Sequence, residues 1–393
     1  MSVSTPVRST AATVLLIIGV LAVATNLRAS ITSVGPLIHN ISQDLGLSPA
    51  GAGLLTSVPV LAFGLFSPAA PWVARRLGLE LTVFGSLLLL IAAVLARSLP
   101  VPGLIWAGTV GLGIAIAFFN VLLPSLIKRD FPHRLGGMTG AYTTVQTLVA
   151  AVASGVAVPI AGQTPGGWRI SLGIWAGLAL IAAAVWLPQL RSRTLPDAVD
   201  GGPVTRRVWT SPISWQVTIF MGLQSMSFYT FIAWLPSIMV SRGVSEATSG
   251  LYLFVYLVAG VIASSLTPIA LQRTADQRVV NLGGSILLVI GVAGLLLLPG
   301  AAMLWVIIEG LGAGSCIVLA LSLFGFRARD HEESAALSGM GQSVGYLLAA
   351  VGPLAIGALH QFTGSWIPPL LFLLFFMLAL CVFAVLSGRK RFI

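Results

Sequence analysis

Apolar runs long enough to cross a bilayer recur along the chain near residues 11–38, 50–74, 79–98, 102–127, 137–161, 168–190, 213–240, 249–271, 279–299, 301–326, 335–360 and 366–387. About 20 helical residues at 1.5 Å each span a hydrocarbon core about 30 Å thick. The pattern therefore predicts an all-α membrane protein with twelve transmembrane helices. The longest polar interruption, RSRTLPDAVDGGPVTRRVWTSP from Arg191 to Pro212, divides the runs six and six. Its Pro, Gly and charge content predicts a cytoplasmic linker, 191–212, between an N-terminal six-helix bundle, 1–190, and a C-terminal one, 213–393. The first run is too long for a cleaved signal peptide and has a counterpart later in the chain, so it is expected to remain as a span.

That counterpart belongs to an internal repeat. At a shift of about 200 residues, Pro36 falls on Pro236 and Ser67-Pro68 on Thr267-Pro268. Gly111-Leu112-Gly113 then falls on Gly310-Leu311-Gly312, Ile127-Lys128 on Phe326-Arg327, Gly137-Met138 on Gly339-Met340, and Gly167-Trp168 on Ser365-Trp366. Six spans repeated in one orientation give two pseudo-symmetric bundles about an axis along the membrane normal. This resembles the plan of major facilitator transporters, which places substrate between the halves near the midplane.

Composition strengthens the membrane reading. The chain is 57% hydrophobic and 8% charged with mean hydropathy +0.99, against about 25% charged in soluble domains. The net charge of +10 suggests nucleic acid only until its distribution is considered. Seventeen basic residues fall on the side of the N-terminus and three, Arg97, Arg169 and Arg242, on the other. This bias predicts both termini in the cytoplasm and no nucleic-acid partner. The two cysteines, Cys316 and Cys381, lie in apolar runs and give no disulfide or metal framework. His39, His133, His331 and His360 sit at loops or span ends without ligand spacing, so no metal is expected. No phosphate loop is present and no nucleophile shares a motif with a base, so the chain is read as a non-enzyme without cofactor, driven by a gradient.

Candidate chemistry lies inside the spans. Arg28 falls roughly 25 Å along the first run, and a guanidinium at that depth must meet water, a counter-charge or an anionic ligand. Its planar fork suits carboxylate-like oxygens. Glu309, about 8 residues or roughly 12 Å into the tenth run, lies at a similar level. It is expected either to carry a proton or to neutralise Arg28. Under the repeat, Arg28 maps onto Phe228 and Glu309 onto Val110, so neither charge is demanded by the scaffold. Asn120, Tyr142, Gln146, Gln224, Tyr229, Trp234, Gln342 and Tyr346 are the expected further substrate contacts, although such side chains also bond neighbouring helices.

The segments NLRASITSVGPLI (Asn26 to Ile38), NVLLPSLIKRDFP (Asn120 to Pro132), MGLQSMSFYTFIAWLP (Met221 to Pro236) and LSGMGQSVGYLLAAVGP (Leu337 to Pro353) resemble the cyanate and 2-nitroimidazole transporter family of the major facilitator superfamily. The resemblance covers essentially the whole chain, with Asn26-Leu27-Arg28 its most specific element. It implies a bacterial inner-membrane carrier for a small anionic or polar nitrogen-containing compound, with Arg28 in contact with it. After the second span the sequence reads Ala74-Arg75-Arg76-Leu77-Gly78, lacking the acidic residue of the general facilitator lock between halves. The expected function is alternating-access transport of a small molecule in a lipid bilayer, with no obligate protein partner. A transporter-like receptor that binds without turnover is the alternative.

Overall fold

Hydropathy alone places twelve helices long and apolar enough to cross a membrane, and all twelve form where the runs predict them. The computed structural model describes residues 10–131, 134–191, 203–274, 276–329 and 331–393. His133 and most of the expected linker, residues 192–202, lie outside the described residues. The first bundle begins with one broken span, α1 (Thr10–Ala24), α2 (Ala29–Thr32) and α3 (Val34–Leu45). It continues through α4 (Pro49–Phe66) with its extension α5 (Ala69–Leu77), α6 (Leu79–Ser98), α7 (Leu104–Asp130), α8 (Leu135–Gln163), and the paired α9 (Gly167–Gly173) and α10 (Trp175–Trp186). After the short α11 (Pro203–Thr210), the second bundle contains α12 (Pro212–Val240), α13 (Glu246–Gln272), α14 (Arg278–Leu297), α15 (Ala302–Phe326), α16 (His331–Thr363) and α17 (Ile367–Gly388). Local chemistry sets several starts: Ser48 accepts from Gly51 N at the head of α4, and Ser245 from Thr248 N at the head of α13.

The first span departs from the uninterrupted helix expected over 11–38. Residues 25–28 are turns. Thr25 Oγ1 and Asn26 Nδ2 donate to Ala22 O at 2.7 and 3.0 Å, while Asn26 N and Leu27 N bond back three residues, to Val23 O and Ala24 O. Side chains that bond the local backbone compete with the i to i−4 ladder and open it. Arg28 follows the break, at φ −129° and ψ −31°. Thr32 then ties the outgoing turn to α8 through Ala150 O at 2.9 Å.

The bundles close on each other along the face opposite the termini. There α3 lies so near α12 that a Cβ on Gly35 would stand 2.1 Å from Ile232 O, and α4 so near α16 that one on Gly53 would stand 2.6 Å from Pro353 O. Only glycine fits such backbone approaches. Ala50 N donates to Gln361 Oε1 at 3.0 Å, adding a polar clasp to the same seam. Arg97, expected in a connection on this face, is instead buried within the first bundle at 2% exposure. The last turn of α6 still packs against α7, where Gly108 lets Arg97 approach, so the side chain folds inward.

On the terminal face Arg327 secures the second bundle. It is buried, and its Nε donates to Ser387 O at 2.8 Å while Nη2 donates to Gly388 O at 3.0 Å and Gln277 Oε1 at 2.6 Å. Burial lowers its pKa and nearby Asp276 opposes the shift. Arg327→Ala leaves several acceptors unpaired, so it is expected to cost about 2–4 kcal/mol. The readout is a melting temperature of the purified protein lower by roughly 5 °C; an unchanged value would remove Arg327 from the scaffold.

Candidate functional site

Because the seam closes one face only, the helices leave a cavity of about 680 Å³ between the bundles, within the range of small-molecule sites. Its walls include Pro124, Thr139, Ser265, Pro268 and Ser322, all in the helix halves nearest the termini, so it opens on that face. Of the expected contacts, Arg28, Asn120, Tyr142, Gln146, Gln224, Tyr229, Gln342 and Tyr346 line it. Trp234 does not. Five residues beyond Tyr229, or about 7.5 Å along α12, its indole has passed the seam. It donates to Pro353 O at 2.8 Å and packs beside Trp366.

Arg28 occupies the closed end of the cavity. Its Nη1 donates to the Tyr229 hydroxyl at 3.0 Å, and its Cζ lies 4.8 Å from the centre of the Phe228 ring and 5.4 Å from that of Tyr229. No carboxylate pairs with it among the described residues. One N–H of five is thus committed, and the remaining fork is available to an anionic group. Phe228 is also the repeat counterpart of Arg28, so the two positions meet across the pseudo-twofold axis. That relation is the sequence signal by which Phe228, absent from the expected contacts, could have been found.

Aromatic rings complete this end. Of the five tyrosines in the chain, Tyr142, Tyr229, Tyr256 and Tyr346 line the cavity, and all four lie in the field of Arg28. Tyr346 packs against Phe63 and Tyr229 with ring centres 5.4 and 6.2 Å apart, and Tyr256 stacks on Phe231 at 5.4 Å. Flat rings around a cation suit a flat, electron-rich or anionic ligand. Gln224 is braced by its own helix through Met221 O and Ser225 Oγ, and Gln342 bonds Ser338 Oγ at 3.0 Å. The Gln146 carbonyl oxygen is buried without a partner among the described residues.

Glu309 sits behind this wall and is fully buried on α15. It accepts a hydrogen bond from Ser227 Oγ, and its second oxygen has no partner among the described residues. Gly291 makes room for it: a Cβ there would meet the Glu309 side chain at 2.5 Å. Tyr256 shares the pocket, with its hydroxyl beside the carboxyl and in its field. Direct pairing of Glu309 with Arg28, geometrically open from the sequence, is not what forms. Helix α12 stands between the two, offering Ser227 to one, Tyr229 to the other, and the Phe228 ring between.

A two-bundle, twelve-span chain with a midplane cavity has a counterpart among known families, for the family model described as Major Facilitator Superfamily matches residues 16–353. The chain belongs to that superfamily. Among similar superfamily members, the "Uncharacterized transporter YycB" of Bacillus subtilis (strain 168) is 43% identical over 96% of this chain and 94% of its own. The "2-nitroimidazole transporter" of Escherichia coli (strain K12) is 41% identical over 96% of each. The "Cyanate transport protein CynX" of the same organism is 30% identical over 93% of this chain and 94% of its own. A solved bacterial homologue of the human lysosomal transporter Spinster, inward-facing and unoccupied, superposes with TM-score 0.81 at 15% identity, over 98% of each chain. The major facilitator protein described here is therefore a multi-pass membrane transporter of small molecules.

Proposed function

We propose that this transporter moves a small, flat, anionic or polar nitrogen-containing compound, of the cyanate or nitroimidazole kind, by alternating access in a bacterial inner membrane. The observation that carries the reading is Arg28: a permanent cation at the closed end of the cavity, committed to a single tyrosine hydroxyl and framed by aromatic rings. The names of the 2-nitroimidazole and cyanate relatives agree with a ligand that offers nitro or carboxylate-like oxygens, or a compact anion. Asn120, Tyr142, Gln146, Gln224, Tyr229, Gln342 and Tyr346 set the fit around it. The bundles 1–190 and 213–393 rock about the site on the linker 191–212. The excess of basic residues beside the termini supports both termini in the cytoplasm, and with them an inward-facing cavity.

Glu309 is assigned the coupling proton. Its carboxyl is buried behind the cavity wall on Ser227, next to the residues that hold Arg28, so a change in its charge is felt at the site. The test is flux in proteoliposomes of labelled cyanate and 2-nitroimidazole, with and without an imposed pH gradient. Glu309→Gln is expected to abolish accumulation driven by the gradient while substrate exchange stays within about twofold of wild type. An intact response to pH would reassign Glu309 to the scaffold, and the absence of flux for both compounds would discard the substrate class.

A further inference from the structure

Arg97 is another buried arginine, outside the large cavity. Its Nε and Nη2 are buried without a hydrogen-bond partner among the described residues, and no carboxylate pairs with it there. A guanidinium keeps its charge at any ordinary pH, and an uncompensated buried charge is strongly unfavourable. The site thus calls for a negative charge that the described chain does not supply. Arg97 lines a cavity of about 20 Å³, room for one water-sized species. Ser30, Thr56, Thr109 and Tyr229 share the lining with apolar residues. Thr56 and Thr109 donate to backbone carbonyls of their own helices, so they shape the space and leave ligation to others. Tyr229 accepts from Arg28, and its hydroxyl also meets that of Tyr346.

Tyr229 is also the residue the two cavities share. The rest of the small cavity, Val34, Gly35, Leu55, Ile232 and Ala233 among them, lies beyond Tyr229 toward the face opposite the termini. We propose that Arg97 holds a second anion position, on the far side of Tyr229 from Arg28, sized for one monatomic halide. The ion there neutralises Arg97 while the seam is closed. It is a resident halide. The assignment stands apart from the role given to Arg28.

The test uses the full-length Arg28→Ala protein, purified in chloride-free buffer, so that the large cavity has lost its cation. Bromide is expected to raise its melting temperature saturably, and anomalous scattering from bromide crystals to place an ion within hydrogen-bond distance of the Arg97 guanidinium. Adding Arg97→Gln should remove both signals. If that variant does not fold, the anomalous map of Arg28→Ala decides alone. No ion beside Arg97, or a bromide dependence untouched by Arg97→Gln, overturns the proposal.

Discussion

Transport by the Arg28→Ala protein is expected to fall about 100-fold or more in proteoliposomes, with little change in melting temperature. A charge-assisted, forked contact to a ligand in a desolvated pocket is worth about 3 kcal/mol when one partner is truncated, which corresponds to about two decades in affinity or rate. The same substitution costs the scaffold little, because among the described residues Arg28 holds only Tyr229 by hydrogen bond and the faces of Phe228 and Tyr229. Arg28→Lys keeps the charge and loses the fork, so roughly a tenth of wild-type activity is expected. Initial rates of labelled substrate uptake at a fixed gradient give the comparison. Near wild-type flux in Arg28→Ala would remove the cation from the mechanism.

The second large effect comes from a residue with no polar atoms in its side chain. Gly35→Ala puts a methyl group where Ile232 O already stands, 2.1 Å away. Neither backbone can yield while α3 and α12 remain against each other. Overpacking of this kind costs about 1–3 kcal/mol, enough to move the balance between seam closed and seam open by about 5- to 150-fold. A cysteine at Ser237, which lines the opening on the outer side of the seam, would report the change in a background where Cys316 and Cys381 are alanine. Gly35→Ala is expected to raise its labelling by an impermeant thiol reagent about tenfold and to slow transport at least as much. Unchanged labelling would show that the seam is not the closing surface.

The transmembrane plan was legible because each span is a long apolar run, and a run needs no partner to be recognised. The repeat was legible for a related reason: Gly and Pro mark close approaches and bends, and duplicated bundles need them at duplicated places. Residue depth could also be read, since rise per residue converts position into height, which is why most of the expected polar contacts line one cavity. Azimuth could not. Arg28 and Glu309 share a level, yet α12 stands between them. Trp234 lies on the right helix, but its indole reaches Pro353 O on the wrong side of the seam. Arg97 ends an apolar run just before Leu99-Pro100, where hydropathy assigns it to water, and nothing local records that Gly108 admits it to the bundle. The break at Thr25 and Asn26 was hidden because two polar residues amid apolar neighbours do not interrupt a hydropathy run, even when they turn the backbone.

A position on a twofold axis faces its own image. With the Arg28 guanidinium 4.8 Å from the Phe228 ring, guanidinium groups at both places would repel at close range and leave no room for a guest. Only one of the twin modules can bear the grip, and the other must offer it a neutral plate. If Arg28 clasps the passenger as proposed, the passenger would ride with the first module while the aromatic wall of the second slid across it, leaving two halves alike in shape and unequal in labour.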